Sequence, residues 1–190
     1  METVQPIRDR EKIEAIKKIL RASSLRNELL FVLGINSGLR ISDLLKLSFS
    51  DVVKDRGRAA ERLEIRERKT KKMRAVAIGV KVQRLNDQYL TKERKGADRT
   101  EPLFLSQKGG KAISRQHAYY ILSCAARAVG ITERIGTHSL RKTFGYFAYK
   151  QGRDLAMIQK LLNHSSQEET LRYIGITQEQ MDEVVVGLGL

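Results

Sequence analysis

Residues 137–146 read "THSLRKTFGY". The stretch places a histidine and an arginine three positions apart in a chain that has only three histidines. In a helix, positions i and i+3 share a face, so His138 and Arg141 project together. Thr137 stands where an N-cap would. That puts the pair in the first turn, where the helix dipole favours an anion. The guanidinium is a fixed fork that matches two phosphate oxygens, and the imidazole exchanges a proton near neutral pH. A solvated helix start explains these two residues equally well, so the rest of the chain has to decide.

Charge is the first discriminator. The 190 residues hold 36 Lys+Arg against 22 Asp+Glu, a formal net charge of +14 and an isoelectric point near 10.1. So large an excess repels itself unless a polyanion answers it, and nucleic acid is the simplest such partner. At 41% hydrophobic residues the chain can bury a sizeable core, which argues against global disorder. Its one cysteine, Cys124, lies in the apolar-rich run "YYILSCAARAVG" and reads as a small core residue. It rules out an internal disulfide and a cysteine zinc cluster. The sequence contains no P-loop, GxGxxG or HExxH, and no carboxylate cluster suited to two-metal chemistry. Without an apolar leader or an 18-residue apolar run, no signal peptide or membrane span is expected, and a reducing cytoplasm fits.

Helical periodicity dominates. Residues 9–22 carry Ile13, Ile16 and Ile19–Leu20 on one face. "SLRNELLFVLGINSG" follows with Ser24 as a cap, and Gly38 breaks it. Arg40 sits in the tight connection before a short helix in "ISDLLKLSFSDV". "ERLEIRE" (61–67) and "MRAVAI" (73–78) alternate polar and apolar around "RKTKK", the pattern of a β-hairpin. A helix over 82–93, a short strand at "LFLS" and a helix over 114–129 come next. That last helix has Ser114 at its cap and Gly130 at its stop. Helices near 138–151, 154–162, 167–174 and 177–186 complete a mainly α fold with one small antiparallel sheet (α+β).

Downstream, "LLNHSSQEETLRYIGI" puts His164 at a helix end and Tyr173 nine residues further on. Alone, each reads as an ordinary capping or half-buried residue. Together the segments are specific. "GLRxSDLLxL", then "HxLRxTF", then "LLxHSSxxxTxxY", in that order, resemble the catalytic domain of the tyrosine recombinase (phage integrase) family from about residue 5 to the end. The gap of 23 residues from Arg141 to His164 also agrees.

The resemblance implies roles. Arg40 and Arg141 resemble the two arginines that clamp the scissile phosphate, and His138 the histidine that assists proton transfer. His164 resembles the third-box His/Trp that hydrogen-bonds the phosphate, and Tyr173 the nucleophile. The hairpin lysine that protonates the leaving 5′ oxygen falls in "ERKTKKMRAV"; Lys69 is the assignment, with Lys71 and Lys72 as competitors. Asn163 replaces the glycine often found before the third-box histidine, a change its tolerance of left-handed backbone should absorb. Such chemistry needs no metal, cofactor or ATP, because forked arginines and imidazoles carry the charge on the non-bridging oxygens. Surrounding positive charge is expected to favour the Tyr173 phenolate. The run 54–74 holds ten Lys/Arg against four Asp/Glu, suited to backbone phosphates. Lys71, Lys72, Arg74, Ser114 and Arg115 are the expected DNA contacts.

The first helix starts almost at Met1, leaving no room for the family's N-terminal core-binding domain, so a single catalytic domain over 1–190 is expected. Its Met start favours a natural minimal recombinase over an engineered fragment. The implied partner is double-stranded DNA, with self-association on it as a tetrameric synapse, no membrane, and a cytoplasmic, nucleoid-associated location. The competing readings are a DNA-binding regulator that has lost catalysis and a relaxing topoisomerase.

Overall fold

A computed structural model describes residues 4–54, 59–66, 73–176, 182 and 185–188. Helix α1 (Arg10–Ser23) starts at Asp9, whose carboxylate accepts from the backbone N–H groups of Glu11 at 2.7 Å and Lys12 at 3.2 Å. Its buried face is Ile13, Ile16 and Leu20, a helical repeat. Ser24 ends α1 and caps α2 (Leu25–Ser37), accepting from Arg26 N. Helix α2 is buried almost all round from Arg26 to Gly34, as a helix packed on several sides must be, and touches α1, α5 and α7.

Gly38 stops α2 in the left-handed region (φ 63°), and a Cβ there would sit 2.6 Å from Phe144 Cδ1. Only glycine meets both demands. The segment after it forms two one-turn helices rather than the single one expected, α3 (Ile41–Leu44) and α4 (Phe49–Val52). Ser48 divides them: its N–H and hydroxyl both donate to Asp51 Oδ2.

Strands β1 (Arg62–Arg66) and β2 (Met73–Ala77) pair antiparallel from Arg62↔Ala77 to Arg66↔Met73. Leu63, Ile65 and Val76 face the core, as the alternation requires. The turn bearing Lys69, Lys71 and Lys72 lies outside the described residues. Helices α5 (Val80–Lys92) and α6 (Arg115–Ala128) follow. Between them, the strand expected at "LFLS" is absent: only single bridges occur there, Ser48↔Pro102 and Leu105↔Ala112. Side chains and loop backbone take its hydrogen bonds instead. Tyr89 Oη donates to Leu103 O, Arg26 Nη1 to Leu105 O, and Leu103 N to Leu47 O.

Helices α7 (Thr137–Lys150), α8 (Leu155–Leu162) and α9 (Gln167–Ile174) close the fold. Thr137 is the first residue of α7, not its cap; the cap position is Gly136, whose N–H donates to Ser139 Oγ at 3.1 Å. Leu140 of α7 joins the main core, while Tyr146 joins a smaller cluster with Ile158, Leu162, Ile174 and Ile176. Helix α7 thus bridges two apolar cores. The helix expected at 177–186 falls largely outside the described residues.

Candidate active site

Three chain breaks converge on α7. The first is the turn after α2, where Arg40, half-buried and extended (φ −71°, ψ 146°), immediately precedes α3. The second is the end of α8, where Asn163 adopts φ 48° and turns the chain into His164. Asn163 is the one non-glycine residue with positive φ among those described, so asparagine does supply the left-handed step. The third is α9, which carries Tyr173 and is capped by Ser166, whose Oγ accepts from Glu169 N at 3.0 Å.

Arg141 ties the first two together. It is 3% exposed; its Nη1 donates to Gly38 O at 2.6 Å and its Nη2 to Leu162 O. Each carbonyl lies two residues before a site residue, Gly38 before Arg40 and Leu162 before His164. One guanidinium therefore fixes the backbone that presents both. The third break is joined through the rings. His164 Nδ1 lies 3.2 Å from Thr170 Oγ1, whose own proton goes to Ser166 O at 3.0 Å. A hydroxyl has one proton, so here the imidazole donates, and the neutral ring is the Nδ1–H tautomer. Tyr173, one turn beyond Thr170, meets the His164 ring edge-on with centroids 4.7 Å apart. Lys142 Nζ lies 5.1 Å from the Tyr173 ring centroid.

The chain as a whole is similar to known sequences. The phage integrase family profile matches residues 8–180. The chain is 46% identical over 179 residues to the probable integrase/recombinase YoeC of Bacillus subtilis (strain 168), covering 94% of this chain and 93% of that one. The chain belongs to the phage integrase family. It is also 32% identical over 170 residues to the tyrosine recombinase XerD of Mycobacterium leprae, covering 86% of this chain and 52% of XerD. It therefore spans about half of that relative's length. In fold, it matches a crystal structure of the XerH site-specific recombinase in a post-cleavage complex with its difH DNA substrate. There the TM-score is 0.76 at 22% identity, over 100% of this chain and 55% of that one.

Electrostatics join the remaining residues of this cluster. The Tyr173 phenol is pushed above its ordinary value. Burial is the main cause, opposed by the charges of Arg141 and Arg40 and by a hydrogen bond with Arg141. The two arginines favour the phenolate as expected, and in the free chain burial outweighs them. The His138 imidazolium is disfavoured. Atoms packed around its ring desolvate it, and Arg115, Arg141, Lys142 and Arg40 repel its proton. Arg40 and Arg141 are thus near enough to act on both His138 and Tyr173.

Among the expected DNA contacts, Arg74 on β2 reaches back to Ser37 O at 3.5 Å, which brings the hairpin beside the Arg40 turn. Ser114 caps α6, its Oγ accepting from His117 N at 3.1 Å. Arg115 is exposed at the start of α6 and its Nη2 lies 3.2 Å from His138 Nε2. From the sequence Arg115 is expected to contact DNA alone, and Lys142 has no expected role. Both contacts are tertiary, and the only hint was a cation next to Arg141. Tyr146 packs, buried, with Phe147 edge-on at 5.4 Å and Arg8 over its ring at 5.7 Å, while Phe144 lies against the same cluster. Among the described residues no group of His, Cys, Asp and Glu could hold a metal ion, and no helix is long and apolar enough to cross a membrane.

Proposed function

We propose that this chain is a site-specific DNA recombinase that cleaves and rejoins strands through a covalent 3′-phosphotyrosine at Tyr173. The observation that carries the reading is Arg141 bridging the backbone before Arg40 and before His164, with the Tyr173 ring edge-on to His164. A scissile phosphate set among these groups meets the guanidinium of Arg40 and the N–H groups of Arg141 not given to Gly38 O and Leu162 O, and its non-bridging oxygens gain charge as the phenol oxygen attacks. The Tyr173 oxygen forms a bond to phosphorus as the bond to the 5′ oxygen breaks. The phenol proton passes to the Nε2 lone pair of the neutral His138 ring as Arg115 turns its N–H from that nitrogen to a phosphate oxygen, and the same ring returns the proton in the reverse step. The leaving 5′ oxygen gains a proton, for which the hairpin lysine, Lys69, is the candidate. The reverse steps rejoin the strand, and the phosphotyrosine conserves the bond energy, so no nucleotide cofactor is consumed.

Lys71, Lys72, Arg74, Ser114 and Arg115 would hold the DNA backbone, with affinity that falls as salt rises. Double-stranded DNA is the partner, four copies would assemble on it as a synapse, and the nucleoid of the cytoplasm is the working location. A regulator that had given up catalysis would have no need to gather these residues around a tyrosine. The test is a nicked suicide substrate, whose released fragment prevents religation. Wild-type chain should form a covalent adduct and Tyr173→Phe should not; robust adduct formation by Tyr173→Phe would refute the assignment.

A further inference from the structure

Strand cleavage does not by itself require the first residue of α6 to touch a catalytic side chain, yet Arg115 does. Its Nη2 lies 3.2 Å from His138 Nε2, joining the starts of α6 and α7 across 23 residues of sequence. Both residues are exposed overall, although the His138 ring is partly desolvated, and neither belongs to the apolar core, so core packing does not force the contact. A guanidinium N–H can only donate, which makes Nε2 the acceptor and puts the proton of the neutral ring on Nδ1. The charged groups acting on the ring are Arg115 from α6, Arg141 and Lys142 from α7, and Arg40 from the turn before α3. All four are cations. As the second residue of α7, His138 also sits in the positive end of a 14-residue helix.

We propose that Arg115 is a positioning residue for His138: its donated hydrogen bond fixes the ring and leaves the proton on Nδ1, so His138 meets DNA as a neutral Nδ1–H donor. This rests on the reading of His138 as part of the cleavage site. It is compatible with a phosphate contact, because a guanidinium carries five N–H donors and the ring uses one. It also gives Arg115 a task that precedes DNA binding. The ring is orientated and deprotonated in the free chain, which removes that step from the moment of cleavage.

The experiment is 15N NMR of the histidine rings in the full chain without DNA. Only three histidines contribute signals. In the wild type, His138 should show a protonated Nδ1 and an acceptor Nε2 at neutral pH. Arg115→Met keeps the stem and removes both donor and charge. It should raise the His138 midpoint by about half a unit or more and mix its tautomers. His164, held by Thr170, should not move. Arg115→Lys, which keeps a cationic donor, should restore most of both effects. An unchanged His138 titration and tautomer in Arg115→Met would overturn the inference while leaving the cleavage reading intact. Conversely, a shifted titration together with undiminished adduct formation by His138→Gln would remove His138 from the chemistry and leave its pairing with Arg115 standing.

Discussion

Replacing Arg141 with methionine should unsettle the fold as well as the chemistry. The variant keeps the apolar stem and removes the two hydrogen bonds to Gly38 O and Leu162 O, both buried. A hydrogen bond from a charged donor contributes about 1.5–3 kcal/mol, and each carbonyl left buried without its donor adds a desolvation cost. Against this, taking one cation out of the neighbourhood of Arg40 and Lys142 relieves repulsion, and the two losses share one side chain, so they do not simply add. A net loss of about 3 kcal/mol is expected, a large share of the 5–15 kcal/mol typical of a domain. In urea the unfolding midpoint should fall by about 1–2 M. Arg40→Met, at a half-buried position, should stay within about 1 kcal/mol of wild type. Both variants should lose DNA cleavage. If Arg141→Met unfolds within about 0.5 kcal/mol of wild type, the guanidinium is not the strut described and the reasoning fails.

Other consequences follow from neighbouring contacts. A Cβ on Gly145 would sit 2.6 Å from Ile174 Cγ2 and 3.0 Å from Leu162 Cδ1, so Gly145→Ala should push α9 from α7, costing about 1–3 kcal/mol in a urea melt and reducing adduct yield. Asn163→Gly should be tolerated, whereas Asn163→Ala, forced to φ 48°, should cost about 1 kcal/mol in the same melt. Because His138 protonates less readily in the folded chain than at its ordinary 6.5, stability is fully present above that pH and is lost as pH falls through the folded midpoint; thermal melts of His138→Gln should show a flatter acid limb. The Tyr173 phenol, raised by burial and restrained by two arginines, should ionise at still higher pH in Arg141→Met, as read by phenolate absorbance against Tyr173→Phe.

Much of this was legible in sequence because it is local. The helical faces of α1 and α6, the stop at Gly38 and the hairpin alternation depend on neighbours within a turn or a strand. The motif resemblance puts Arg40, Arg141, His164 and Tyr173 forward at readable spacings. What was not legible is tertiary. Arg141 finds Gly38 O across 103 residues, and Arg115 finds His138 across 23, partners that no periodicity announces. Around Tyr173 the cations are visible in sequence and act as expected, but the burial that outweighs them is not visible there. The strand at "LFLS" failed for a similar reason: its composition suits a strand, but Tyr89 and Arg26 reach its carbonyls first. At α7, Thr137 has the chemistry of a cap, but Ser139 bonds back to Gly136 N and moves the start one residue earlier.

The central claim is that Tyr173 attacks phosphorus in a site built around Arg141. It is tested most directly by trapping the adduct on nicked candidate sites, digesting protein and DNA, and locating the nucleotide by mass spectrometry. A nucleotide is expected on the peptide containing Tyr173, lost in both Tyr173→Phe and Arg141→Met. A nucleotide on any other side chain, or an unchanged yield in Tyr173→Phe, would contradict it.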